Sequence, residues 1–258
     1  MTPPEPVPTS HNHSDPAPLS RARRGRRSGV WWSGIYRDRS CWDRLDPAAA
    51  TFTRWVDEHL LHPHPDLGRD GPVCPFVRAG ITHDLLWGAV VECADLEGTD
   101  AFVTQQLHRI TEDALEIYRE VRSEYPDRAR RSALITLLPD LTDYQRIDAA
   151  HRAYKSEAVR EGLMLGQFYP GCRVPGLWNR DFRPLDSPVP MLVLRPMMST
   201  DYPFLAGRAD WLYAYFTHVA PDIPRRLRWA IAERMVVEGA SVADITALRA
   251  HSPDEHAR

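Results

Sequence analysis

Two cysteine-containing turns hold the side chains best suited to chemistry in this chain. Cys74 lies in a proline-bracketed turn just before a predicted strand, and Cys172 lies in segment 166–184, which is rich in Pro, Gly, aromatic residues and arginine. A cysteine thiolate is both a nucleophile and an iron ligand. Two alternatives stay open. Most free cysteines are small buried apolar residues, and segment 166–184 is equally typical of a surface loop anchored by Phe168, Trp178 and Phe182.

Histidine, arginine and lysine supply the other candidate groups. His151 falls on the apolar face of a predicted helix, where it is either an iron ligand or a hydrogen-bonded core histidine. Arg183 follows Cys172 and can pair with a carboxylate. Lys155 is the only lysine, so anionic substrates are expected to be held by arginine. His59, His62 and His64 form a cluster near a predicted helix end. The helix dipole favours histidine at such an end even when no metal is bound.

The spacing of apolar residues predicts the elements that position these groups. It predicts helices over residues 47–62, 100–122 and 142–161, and strands over residues 85–91, 133–138, 162–168 and 189–194. A helical C-terminal region is predicted over residues 204–219, 224–238 and 241–250. Because strands and helices interleave imperfectly, the sequence predicts a single α+β domain, with a mixed, mostly antiparallel sheet packed by helices.

Composition divides the chain into four parts. Residues 1–28 are rich in Pro, Ser, His and Arg and poor in large apolar side chains, so a disordered tail is predicted there. Residues 29–46 are rich in aromatic residues and are predicted to form an arm on the body. Residues 47–250 are predicted to form the single α+β domain, and residues 251–258 a flexible C-terminus.

The overall composition restricts the class of partner. The 258 residues are 43% apolar, which is ordinary for a globular protein, and the formal net charge is −3. Basic residues are concentrated in the first 40 positions, so the rest of the chain has a net charge of about −7. A negatively charged body disfavours binding to nucleic acid. The sequence contains no signal-peptide pattern, no membrane-spanning stretch and no signature motif for dinucleotides or nucleoside triphosphates. We therefore expect a cytoplasmic protein with a small-molecule substrate and with no nucleic-acid or membrane partner.

Three segments resemble the YqcI/YcgG-type family over roughly residues 70–205. Segment 74–79 is similar to a Pro-Cys-containing region of that family, Pro170-Gly-Cys172 occupies the place of its Pro-Ala-His segment, and segment 191–196 is similar to an apolar strand ending in Asn/Gln-Pro. The chain also resembles an uncharacterised actinobacterial family often found near natural-product genes. Two positions depart from the pattern, because Cys172 replaces the histidine and Arg195 replaces the Asn or Gln.

Some members of the YqcI/YcgG-type family are haem-dependent N-oxygenases. The resemblance therefore implies an oxidoreductase of the monooxygenase type, with haem held between sheet and helices and oxygen transferred to a small nitrogen-containing metabolite of secondary metabolism. Cys172 or His151 would ligate the iron. The predicted cofactor-binding residues are Cys172, His151, Cys74, Arg183, Phe168 and Trp178, with Phe76, Trp87 and Phe168 as apolar walls.

Two other functions are compatible with the sequence. The first is a cofactor-free tailoring enzyme with a pocket of aromatic and arginine side chains, which predicts a colourless protein. The second is a non-catalytic binding protein that serves as a partner in a biosynthetic pathway. It predicts an exposed apolar patch and no deep cavity.

Overall fold

A computed structural model describes residues 22–92 and 98–237 of the chain. Its centre is a six-stranded sheet in the order β1-β2-β3-β4-β6-β5. Only β3 and β4 pair in parallel, and the other neighbours are antiparallel. The prediction of an α+β body with a mixed, mostly antiparallel sheet is therefore confirmed. The strands are β1 (Arg23–Arg24), β2 (Trp31–Gly34), β3 (Leu86–Val90), β4 (Ala133–Leu137), β5 (Leu163–Phe168) and β6 (Met191–Pro196).

Eight α-helices surround the sheet within the described ranges. They are α1 (Arg39–Asp43), α2 (Pro47–Trp55), α3 (Val77–Thr82), α4 (Asp100–Glu124), α5 (Pro126–Ala129), α6 (Tyr144–Arg160), α7 (Ala209–His218) and α8 (Arg225–Arg234). A π-helical segment, Val56–Leu60, extends α2, and a 3-10 helix, Ser199–Phe204, follows β6. None of the described helices is both long and apolar enough to cross a membrane. The predicted helix over residues 241–250 and the predicted flexible C-terminus lie outside the described residues.

The long predicted elements agree with the structure to within a few residues. Helix α2 begins where the sequence indicated, because the Asp46 side chain accepts a hydrogen bond from the Ala48 N–H at 2.7 Å and Pro47 occupies the first turn. Helix α3 was not predicted, because six residues are too few for helical periodicity to show.

The N-terminal segment differs from the sequence prediction. Residues 22–28, which we assigned to a disordered tail, form β1 and a turn that lies along α4. The Asp113 side chain, only 1% exposed, accepts hydrogen bonds from the backbone N–H of Ser28 at 2.7 Å and of Arg27 at 3.1 Å. Arginine side chains of this segment pair with glutamates along α4, among them Arg23 with Glu124 at 2.7 Å. The composition argument failed here because the surface that orders the segment lies in a helix some 85 residues away.

The two faces of the sheet are covered differently. Helices α4 and α6 pack against one face, called here the packed face, which carries Trp87, Leu134 and Leu194. Helices α2 and α3 and the π-helical segment cover the other, called here the cavity face, which carries Leu86, Ile135 and Val193. Neighbouring residues of a strand point to opposite faces, so each central strand contributes to both. Helices α7 and α8 form a third apolar cluster beside α6.

Candidate functional site

A cavity of about 280 Å³ lies between the cavity face and the helices that cover it. Its floor consists of residues from β3, β4, β5 and β6, and its roof comes from α2, the π-helical segment, the Cys74–Phe76 turn and α3. The volume is close to the lower end of the range for small-molecule sites, about 300–1,000 Å³. The apolar lining includes Phe52, Trp55, Leu60, Phe76, Val77, Leu86, Ile135, Phe168, Met191, Val193 and Met198.

Helix α1 packs tightly on β3 at Gly88. Gly88 has no side chain, and the Trp42 ring occupies the space in which a side chain would lie, because a Cβ there would be 2.3 Å from Trp42 Cη2. Over β4, β6 and β5 the roof leaves the hollow that forms the cavity. Phe76, about a third exposed, lies on its wall and reaches solvent.

Strand register gives the cavity one polar and one apolar end. Arg130, Arg131 and Ser132 line the cavity and directly precede β4. The antiparallel register of β4 and β6, with Leu134 opposite Leu194, brings this start of β4 beside Arg195 near the end of β6. At the opposite end, Phe168 is paired with Met191. Within the described ranges, no carboxylate side chain lines the cavity.

Arg195 is the innermost cation of the polar end. Its Nη1 and Nη2 donate to the two carboxylate oxygens of Asp201 at 2.7 and 2.8 Å, and Asp201 is only 2% exposed. The Arg195 side chain keeps 31% exposure because it lines the hollow. Burial alone would lower the pKa of Arg195, but the hydrogen bonds and charge of Asp201 more than offset burial and hold that pKa above its ordinary value.

Lys155 lies next to this ion pair, at the edge strand β5. It is 8% exposed, and its Nζ lies 3.4 Å from the Leu165 carbonyl and 3.9 Å from Met164 Sδ. Burial lowers the pKa of Lys155 to about 8, while the charge of Asp201 raises it and that of Arg195 lowers it. Helix α6 therefore places a buried cation beside the Arg195–Asp201 ion pair, although Lys155 itself does not line the cavity.

Cys74 supplies the thiol of the cavity wall. Its backbone N–H donates to the Leu60 carbonyl at 3.0 Å, which fixes the turn between the π-helical segment and α3. Its side chain is half-buried and close enough to Arg195 for a negatively charged sulfur to raise the pKa of that arginine. Among the described cysteines, Cys74 alone lines this cavity, whereas Cys41 is exposed and Cys172 is buried elsewhere.

Cys172 and His151, the two predicted iron ligands, do not line the cavity. Cys172 is 1% exposed and lies beside Tyr169, whose ring stacks on Tyr144 with centroids 4.8 Å apart. His151 lies on α6, where burial, together with the charge of Lys155, lowers its pKa to about 4. Neither Cys172 nor His151 could therefore ligate the iron of a haem bound in this cavity.

The other predicted contact residues divide between the cavity and other places. Phe76 and Phe168 line the cavity, whereas Trp87 is fully buried on the packed face, with Arg23 Cζ 5.4 Å above its ring. Trp178 is 44% exposed and does not line the cavity. Arg183 lies in the same loop and donates to the carbonyl groups of that loop.

The histidine cluster is stabilised by ring contacts. The His59 ring lies 5.9 Å from the Trp55 ring and 5.6 Å from the His64 ring. Burial lowers the pKa of His59, and the neighbouring His64 lowers it further. In the described part of the chain, no group of three or more His, Cys, Asp or Glu side chains is placed to hold a metal ion.

Sequence reasoning did not identify the arginine end of the cavity. A usable signal was present, because Arg195 follows Met191 and Val193 at every second position of one strand and must share their buried face. The Arg130-Arg131 pair directly before a buried strand was a second signal. Neither signal indicates the cavity itself, because the space between roof and floor depends on tertiary packing.

Comparison with known proteins places the chain in a family. The model of a domain of unknown function, DUF6875, matches residues 49–230. Neither the curated proteins nor the solved structures contain a significant match. The matched range covers most of the chain and every element that forms the cavity. The chain therefore belongs to the DUF6875 family.

Proposed function

We propose that this member of a family of unknown function binds a small, mainly apolar metabolite in the cavity and transforms it there without a resident cofactor. The observation that carries the proposal is the cavity of about 280 Å³, apolar along its length and lined by arginine at one end. Apolar pockets with a few convergent polar groups are typical of small-molecule sites. Of the three functions compatible with the sequence, an enzyme with an aromatic and arginine pocket accords best with this geometry.

Each part of the wall has a distinct task in the proposal. Trp55, Phe168 and Met191 enclose the apolar body of the ligand and exclude water. Arg195 orients the ligand from the polar end. Cys74 places a thiol, which is reactive in its thiolate form, on the wall that the ligand contacts.

Binding can be tested with a neutral fluorescent probe, N-phenylnaphthylamine, whose emission rises in apolar surroundings. We expect saturable binding to the wild type, and a loss of at least about tenfold in affinity for Val193→Trp, because the larger side chain fills the cavity. Leu227→Trp, at a 45% exposed position of α8, is the matched control and keeps wild-type affinity. Equal binding by both variants, or no saturable binding by the wild type, refutes the proposal.

Haem-dependent oxygen transfer, which the resemblance implies, is the second candidate. The observation that favours it is the presence of the Cys74 thiol and arginine side chains on one cavity wall, since these residue types hold iron and propionates. A titration of the purified protein with hemin tests it. Stoichiometric uptake with a shifted Soret band, abolished in Cys74→Ala, would replace the cofactor-free proposal, and absence of uptake would end the haem hypothesis.

A further inference from the structure

The donors of Arg195 are not all used within the protein. A guanidinium offers five N–H groups in one plane. Asp201 takes one hydrogen each from Nη1 and Nη2, and the Pro196 carbonyl takes a second contact from Nη1 at 2.9 Å. Among the described residues, nothing hydrogen-bonds the lateral edge formed by Nε and the remaining Nη2 hydrogen.

The polar end of the cavity also carries an excess of positive charge. Arg195 and Lys155 are two cations, and Asp201 is the single carboxylate that interacts with both. Of the two cations only Arg195 lines the cavity, and it shares the buried Asp201 with the buried Lys155, so Asp201 does not neutralise Arg195 completely. An uncompensated buried charge is costly, so an anion that enters the cavity gains free energy by neutralising it.

Two further arginines strengthen the potential at this end. Arg130 and Arg131 line the cavity and are exposed to solvent. Positive side chains around an apolar hollow raise the local concentration of anions and their rate of entry. No carboxylate of the described residues lines the cavity, so the protein itself supplies no competing carboxylate on its wall.

We infer that the cavity selects molecules that carry a carboxylate, and that Arg195 holds this group through the lateral edge of its guanidinium. A carboxylate is favoured because its two oxygens match two parallel N–H groups. The apolar length of the cavity requires that the rest of the molecule be an aryl or alkyl body. The substrate class is therefore a small apolar carboxylic acid. This inference rests on the proposed function, because it assumes that the cavity binds a small molecule.

The test compares two ligands of nearly equal shape, naphthaleneacetic acid and its neutral amide, naphthaleneacetamide. Each displaces bound N-phenylnaphthylamine from the wild-type protein at neutral pH. We expect the acid to bind about tenfold more tightly than the amide, since a hydrogen-bonded charge pair adds at least this factor. Equal affinities would overturn the inference while leaving probe binding, and with it the proposed function, intact. Failure of the probe to bind would refute the proposed function instead.

Variants assign the selectivity to Arg195. In Arg195→Met the ratio of the affinity for the acid to the affinity for the amide should fall to near one. Because this change leaves the Asp201 carboxylate buried without its arginine partner, the double variant Arg195→Met with Asp201→Asn repeats the measurement without that buried negative charge. Arg208→Met, which breaks a similar pair with Asp210 away from the cavity, is the matched control and keeps the preference. A preference retained in the double variant would overturn the role of Arg195.

Discussion

The two faces of one sheet differ in how completely they are filled. The packed face and its two long helices leave a void of only about 10 Å³, whereas the cavity face encloses about 280 Å³. Both faces are formed by the same strands, and Leu194 and Val193 are neighbours in β6 that point to opposite sides. The difference therefore arises from the covering helices and not from the sheet.

One face of the sheet contributes mainly to stability, and the other leaves space for a ligand. Dense packing on the α4 and α6 side supplies contacts that a cavity lacks. The side chains around the cavity lack these packing contacts, and the empty space can accept a ligand. Substitutions at neighbouring strand positions should consequently have unequal effects.

The largest expected effect is the loss of a large side chain from the packed face. Leu194→Ala should lower the free energy of unfolding by about 3 kcal/mol, because it opens a new cavity in a filled core. Val193→Ala should cost about 1 kcal/mol or less, because its side chain already borders empty space. Urea denaturation of both variants measures the difference. Equal costs would show that the two faces are equally well packed.

Low pH should lower the folding stability through His151 on α6. The pKa of His151 is lowered from 6.5 to about 4, first by burial and then by the charge of Lys155. Between these values the unfolded chain takes up a proton that the folded chain does not, so folding stability falls as pH falls. Lowering the pH from 7 to 4.5 should remove about 2–3 kcal/mol through this group.

Unfolding at several pH values separates this contribution from general acid effects. His151→Gln should lose less stability over the same range than the wild type. The exposed His62 provides the control, and His62→Gln should follow the wild-type curve. Parallel curves for the wild type and His151→Gln would show that His151 is protonated equally easily in both states.

The smallest expected effect concerns the reactivity of a thiol on the cavity face. Iodoacetamide should modify Cys74 about tenfold more slowly when N-phenylnaphthylamine is present at about ten times its Kd, because a filled cavity blocks access to the thiol. Cys41 is exposed and outside the cavity, so its rate should not change. Peptide mass mapping follows both sites in one sample. Protection of both or of neither would place the probe outside the cavity.

The sequence predicted the long helices because apolar residues recur at helical spacing over many positions, and it predicted the central strands because each is a short continuous apolar run. Helix α4 and strand β4 are examples, and both lie where the pattern indicated. The short elements β1, β2 and α3 were not predicted, because they show neither a helical period nor a continuous apolar run. Their structure depends on partners such as Asp113, which no local pattern reveals.

The site was predicted only in part, for a related reason. Cys74 and Phe168 were identified from unusual local composition and Phe76 from the family resemblance, and all three line the cavity. Cys172 and His151 were also selected from local sequence features, but neither residue lines the cavity. Residue type shows which chemistry is available, whereas the packing of roof on floor decides which side chains share one space.

The docking of the arginine-rich segment on α4 has a practical consequence for anyone who shortens this chain. A fragment begun at residue 29, the boundary that composition suggests, would lack the backbone amides that hydrogen-bond Asp113. It would also remove Arg23, Arg26 and Arg27, which neutralise a row of glutamates on the helix. A fragment that starts at or before residue 22 keeps these counter-charges, so expression trials and crystallisation should begin from that longer version.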